Sequence, residues 1–178
     1  MLGRLFRRMD GCARYHGMER IDVIGDAYIA CCNFADQHED DHAVRCATFA
    51  VAVMRAAQST LIDEADPALG HVKLRIGMHV GPVAGKMLVG LLLCLRLVCG
   101  SLTTARGQGC KYTIFGDAVN MASRMESTSL ATRIQCTDEM AVLLCNPDSP
   151  FHVHERAGRI DVKGKVRPFV FGLAADWH

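Results

Sequence analysis

The chain has 178 residues, half of them apolar and 22% charged, with a formal net charge of +1. That length supports one domain with a real core, at a composition ordinary for globular proteins. The near-zero balance excludes a global basic field for nucleic acid, so any anion site must be local.

The N-terminal stretch Leu2–His16 carries apolar residues at helical spacing (Leu2, Leu5, Phe6, Met9, Cys12, Ala13), with Gly17 placed to end it. It is basic and amphipathic and shows no secretory signal pattern. ERIDVI and AYIACCNF, rich in β-branched and aromatic residues, read as two strands around a Gly25-Asp26 turn. Residues 40–60 predict a long helix rich in Ala, Val and Met. Val72–Val80 alternates as a half-buried strand, ended by Gly81-Pro82. Lys111–Phe115 predicts a strand, Asp117–Ser127 a helix, Arg133–Thr137 a short strand and Asp138–Cys145 a short helix. Phe151–Glu155, Arg159–Val162 and Phe169–Gly172 complete the set as strands. Strands and helices are mixed without internal repeats, which implies an α+β sandwich of one sheet with helices packed on it.

Nine cysteines in irregular spacing, with no C-x-x-C pair, argue for a reducing cytosol rather than a disulfide framework. His38-Glu-Asp-Asp-His42 and His152-Val-His154 invite a zinc reading, but neither has a second pair at ligand spacing. The longest apolar run, Met87–Cys99, contains an Arg and is shorter than the roughly 20 residues of a bilayer span.

The run KYTIFGDAVNMASRMEST (Lys111–Thr128) is the most informative. Asn120 and Arg124 are four apart and therefore share one helix face. An amide and a guanidinium so held can grip a ribose and a polyphosphate together, the guanidinium being a rigid fork of donors. The run resembles the signature of class III adenylate and guanylate cyclases. Three further segments resemble the same family in the same order: IDVIGDAYIA (Ile21–Ala30), LRIGMHVGPVAG (Leu74–Gly85) and RIDVKGKVRPFVF (Arg159–Phe171).

The resemblance implies a ferredoxin-like α+β sandwich with a mixed, mainly antiparallel sheet, working as a head-to-tail homodimer or as a heterodimer with another cyclase domain. The whole chain, 1–178, would be a single partial cyclase domain. Its substrate would be GTP or ATP, converted to a 3′,5′-cyclic nucleotide and pyrophosphate with two Mg²⁺ or Mn²⁺ ions. Asn120 would orient the ribose and Arg124 would stabilise charge on the transferred phosphoryl group. Asp26 would bind metal, and Lys163 or Lys165, with Lys163 favoured, would reach the terminal phosphates. Asp22 and Thr113 stand at the positions that read the base. Adenylate cyclases of the family carry Lys, with Asp or Thr, there, and guanylate cyclases carry Glu and Cys. Asp22 is an acceptor suited to the N1–H and exocyclic amine of guanine; Thr113 can donate or accept and decides nothing. Guanine is thus favoured over adenine.

Two departures qualify the resemblance. The family's second metal carboxylate lies in an earlier F-x-D-I-x-G-F-[S/T] strand, and no such motif precedes Asp26. Asp10 falls inside the first predicted helix. The domain is expected to lack its first strand and helix, leaving a sheet position open or an edge exposed. The link from Gly81-Pro82 to Tyr112 is also too long for a hairpin. The extra residues, within Met87–Gln108, read as a loop, a helix covering the sheet, or translated non-coding sequence, and are expected to be poorly ordered. A catalytically incomplete module that dimerises with an active cyclase, and complements or regulates it, is the alternative function. An RNA-binding reading finds neither basic charge nor an aromatic strand to support it. The family places such domains in the cytoplasm or on the cytoplasmic face of a membrane, reached only through domains outside this chain.

Overall fold

A computed structural model describes residues 1–33, 41–83, 88–97, 117–147, 149–156 and 169–173. The first helix, α1 (Leu2–Tyr15), buries Leu5, Met9 and Ala13 and ends at Gly17, whose φ of +62° suits a residue without a Cβ. Strands β1 (Glu19–Ile24) and β2 (Ala27–Cys32) form an antiparallel hairpin around Gly25-Asp26, with Gly25 at φ +64°. Helix α2 (His42–Gln58) buries mostly small side chains around Phe49, which lets it lie close to the sheet. Strand β3 (Leu74–Val83) follows, then β4 (Leu88–Leu97), α3 (Asp117–Thr128), β5 (Ile134–Cys136), α4 (Asp138–Leu144), β6 (Phe151–Glu155) and β7 (Phe169–Leu173).

The strands make one seven-stranded sheet in the order β1-β2-β4-β3-β5-β7-β6. Every pairing is antiparallel except β3 with β5, which α3 connects on the way. The expected mixed, mainly antiparallel α+β sheet is therefore present. Two expectations are corrected. Strand β3 does not stop at Gly81-Pro82 but pairs through both residues to Val83. Part of the expected insertion, Leu88–Leu97, is strand β4: all ten of its residues pair with β3, and six also pair with β2. A run this rich in leucine has no period to separate a buried strand from a buried helix, so the sequence pattern left this strand unread. No open position separates β2 from β3, because β4 lies between them. The predicted strands at Lys111–Phe115 and Arg159–Val162 lie outside the described residues.

Alternation along the strands sorts the side chains between two layers. Tyr28, Ala30 and Cys32 of β2 and Leu74, Ile76 and Met78 of β3 join the main core with α1, α2 and α4. Ile29 and Cys31 point the other way and meet Ala122 and Val119 of α3. Between Arg20 and Asp22 the β1–β2 register slips by a bulge, which puts Ile21 on the α3 side while Val23 packs against the main core.

Four of the six described thiols are buried: Cys31, Cys32, Cys46 and Cys136. Burial pushes the Cys31 thiol up to about 12 and those of Cys46 and Cys136 up as well. These are packing residues, not nucleophiles.

Gly77 on β3 marks where α3 meets the sheet. A Cβ there would stand 2.1 Å from the Glu126 amide nitrogen and 2.4 Å from the Ala122 carbonyl oxygen. Both are backbone atoms that no rotamer change can move aside. Gly77→Ala should therefore cost about 2 kcal/mol or more, at the upper end of overpacking effects. Urea unfolding of the two proteins measures it, read as a lower midpoint at unchanged slope.

Candidate active site

Helix α3 presents two faces. Ala118, Met121, Ala122, Met125 and Glu126 are buried against the sheet. Asn120 is exposed and Arg124 half-buried on the outward side, one turn apart. The structure thus places the predicted pair together on an accessible helix face. Asp117 at the start of the helix favours the dipole.

The neighbouring hairpin brings a second set of polar groups. The bulge pairs Asp22 with Ile29. Directly paired residues share a sheet face, and Ile29 packs on α3. Asp22 is therefore on the α3 side of the sheet, where its Oδ1 accepts from the Val23 amide at 2.8 Å. Asp26 occupies the β1–β2 turn and is half-buried. Thr113, Lys163 and Lys165 lie outside the described residues.

Asp26 is a hard oxygen donor of the kind Mg²⁺ takes. No group of three His, Cys, Asp or Glu side chains capable of holding a metal occurs among the described residues, while most of the His38–His42 cluster lies outside them. Asp10 offers no second carboxylate: it accepts from the Tyr28 hydroxyl at 2.9 Å and pairs with Arg20 at 2.9 Å. The described donors therefore do not complete a metal site. An ion at Asp26 would take its remaining ligands from beyond the described side chains, phosphate and water among them.

Beneath α3 lies a network that the sequence reading passed over. Arg75 of β3 donates from Nε to Glu126 Oε1 at 2.9 Å, and its Nη2 reaches the same oxygen at 2.9 Å. Glu126 is 2% exposed. Gln135, fully buried on β5, donates to the Met125 carbonyl at 3.0 Å and to Thr128 Oγ1 at 2.6 Å. Arg156 donates to the Thr128 carbonyl and to Gln135 Oε1. One signal was available: Glu126 falls in the apolar stripe of its helix, and a carboxylate there demands a partner.

Comparison with known proteins identifies the family. The family model for the adenylate and guanylate cyclase catalytic domain matches residues 1–92 and 96–175. The chain belongs to that family. Guanylate cyclase 2G of Mus musculus is 32% identical over 97% of this chain, which spans 14% of that protein. An adenylate cyclase of Mycobacterium tuberculosis is 35% identical over 99% of the chain and 33% of its own length. The crystal structure of the guanylate cyclase domain of RhGC from Catenaria anguillulae, in complex with GTP, superposes with a TM-score of 0.64 at 25% identity, covering 96% of this chain and 79% of that one. The chain thus spans a minor part of the curated relatives it matches. No helix among the described residues is long and apolar enough to cross a membrane.

His79 supports the start of α3. Its Nδ1 lies 3.1 Å from Thr137 Oγ1, and its Nε2 lies 2.8 Å from where a Cβ on Gly81 would sit, beside Ala118. Burial lowers its pKa from the ordinary 6.5, with Glu139, Asp117 and Asp138 pulling the other way. The unfolded chain then takes up a proton at this residue at a pH where the folded chain does not. Stability is fully present above about 6.5 and falls as the pH drops towards the folded value. Urea unfolding at pH 7.5 and 5.5 should show a larger loss for the wild type than for His79→Gln.

Proposed function

We propose that this domain takes part in converting a nucleoside triphosphate, GTP in preference to ATP, into a 3′,5′-cyclic nucleotide and pyrophosphate. The observation that carries this reading is the placement of Asn120 and Arg124 on the accessible face of α3, with Asp22 on the same side of the adjoining hairpin. The ribose 3′-hydroxyl attacks the α-phosphorus and the pyrophosphate oxygen leaves. Asn120 holds the ribose so that this oxygen is aimed. Arg124 balances the negative charge that builds on the transferred phosphoryl group, an interaction stronger in the transition state than in bound substrate. Lys163 or Lys165 would hold the terminal phosphates. Mg²⁺ or Mn²⁺, when bound, would activate the attacking hydroxyl and hold the leaving oxygens.

Base choice rests on Asp22 with Thr113. A carboxylate accepts from guanine N1–H and its exocyclic amine and repels the N1 lone pair of adenine. The incomplete metal donor set favours a specific arrangement: a head-to-tail dimer with another cyclase domain, which supplies the metal carboxylates while this chain supplies the Asn-Arg face. Such a site would work on the cytoplasmic side of a membrane or in the cytoplasm.

The test mixes this chain with a cyclase domain that keeps both metal aspartates but lacks its own Asn and Arg, in Mn²⁺ with GTP or ATP. Cyclic nucleotide should appear only in the mixture, more from GTP. Arg124→Ala should lower kcat by about 10²–10³-fold, the usual loss for one preorganised charge-stabilising donor. A mixture silent with both nucleotides sinks the reading. Asp22→Lys should shift the ratio of kcat/KM for ATP over GTP upward by about tenfold, a specificity change of the size one polar contact gives. An unchanged ratio would remove Asp22 from base selection.

A further inference from the structure

From the buried network under α3 we infer that Arg75 and Glu126 are positioning residues, which set the rotation of α3 about its axis and so aim Asn120 and Arg124. This rests on the reading that Asn120 and Arg124 act on substrate.

The two faces of α3 are mechanically linked. Glu126 follows Arg124 by two residues, about 200° around a helix, so the two side chains leave the helix on nearly opposite sides. Whatever fixes Glu126 fixes the direction of Arg124. A 20° roll of the helix would move a group roughly 6 Å from its axis by about 2 Å. Errors of about 1 Å in a reacting constellation can cost 10²-fold in rate.

Close packing alone does not prevent such a roll. At Gly77 the helix rests on bare backbone, with no side chain on the strand to key it. Alanines and methionines make up the other buried contacts of α3. Apolar surfaces of this kind are non-directional. The directional contacts described are these. Gln135 and Arg156 hold the C-terminal end at Met125 and Thr128. The Arg75–Glu126 pair ties the same last turn to β3 instead, two residues along that strand from Gly77. Two guanidinium nitrogens converge on one carboxylate oxygen, a geometry that a flexible ammonium does not reproduce. An apolar pair of similar volume would bury as well and often stabilises as much. What the charged pair adds is direction.

The experiment uses the same two-domain mixture with this chain as wild type, Glu126→Gln, Arg75→Lys, Arg124→Ala, and each of the first two combined with Arg124→Ala. Glu126→Gln and Arg75→Lys should each lower kcat by about tenfold with KM changed less than twofold, as for a misaimed transition-state contact. Combined with Arg124→Ala, each should lower it by clearly less than tenfold, because part of the effect passes through that residue and the rest through Asn120. Losses that multiply instead would overturn the inference and leave the pair a general stabiliser. Arg75→Lys keeps the charge and serves where Glu126→Gln does not fold. Amide hydrogen exchange of the free chain gives a readout independent of activity. Arg75→Lys should speed exchange across residues 117–128 and leave α2 unchanged. Equal exchange in α3 would overturn the bridge. A wild-type mixture that makes no cyclic nucleotide sinks the functional reading, while exchange still decides whether the pair holds the helix.

Discussion

The contact of α3 with β3 at Gly77 is the constraint on which the site depends. A helix normally stands off a sheet by the length of side chains on both surfaces. Here one surface has no side chain, and the Glu126 amide and Ala122 carbonyl occupy the space a methyl group would need. That close approach brings the Arg75 guanidinium within reach of Glu126 and lets Val119 and Ala122 touch the hairpin residues Ile29 and Cys31. Polar ties at the end of the helix, through Gln135, stop it from sliding along the strand. Asn120 and Arg124 inherit their positions from contacts on the far side of their own helix.

The sheet divides the work between its faces. The larger core, under α1, α2 and α4, holds most of the fully buried side chains, including Tyr28, Phe49, Leu74, Ile76 and Met78. Each such residue contributes on the order of 1.5–3 kcal/mol of transfer free energy. Among the described side chains, the α3 face has a small apolar cluster, supplemented by one ion pair and the amide bonds of Gln135. Stability and placement are thus separated. The bulge in β1 is the local device that makes the separation possible, since it keeps Ile21 and Asp22 on the α3 side while returning Val23 to the main core.

Much of this was legible in the sequence where a residue pattern has one physical reading. The helical spacing of Leu5, Met9 and Ala13, the Gly25-Asp26 turn and the alternation of Leu74, Ile76 and Met78 each gave the observed element. Asn120 and Arg124 share a helix face because four residues make about one turn. The strand Leu88–Leu97 was not legible, because LVGLLLCLRL carries no alternation and only its neighbours show what it pairs with. The Arg75–Glu126 bridge was hidden for a different reason. Its two members are 51 residues apart in the chain, and nothing local says that β3 and α3 will touch at Gly77. The side of the sheet taken by Asp22 depends on a one-residue slip that composition cannot reveal.

The buried cysteines have a consequence of their own. Cys32, Cys46 and Cys136 sit in the main core and Cys31 in the smaller cluster, and burial holds the thiols of Cys31, Cys46 and Cys136 protonated, while Cys145 is exposed. A thiol reagent that needs the thiolate therefore meets a graded set of targets in one molecule. The exposed sulfur of Cys145 reports the reagent itself. The interior sulfurs react only in conformations that have opened, and the two clusters open with the layers they belong to. The domain thus carries an internal probe of its breathing motions, able to tell loosening beneath α3 from loosening of the main core.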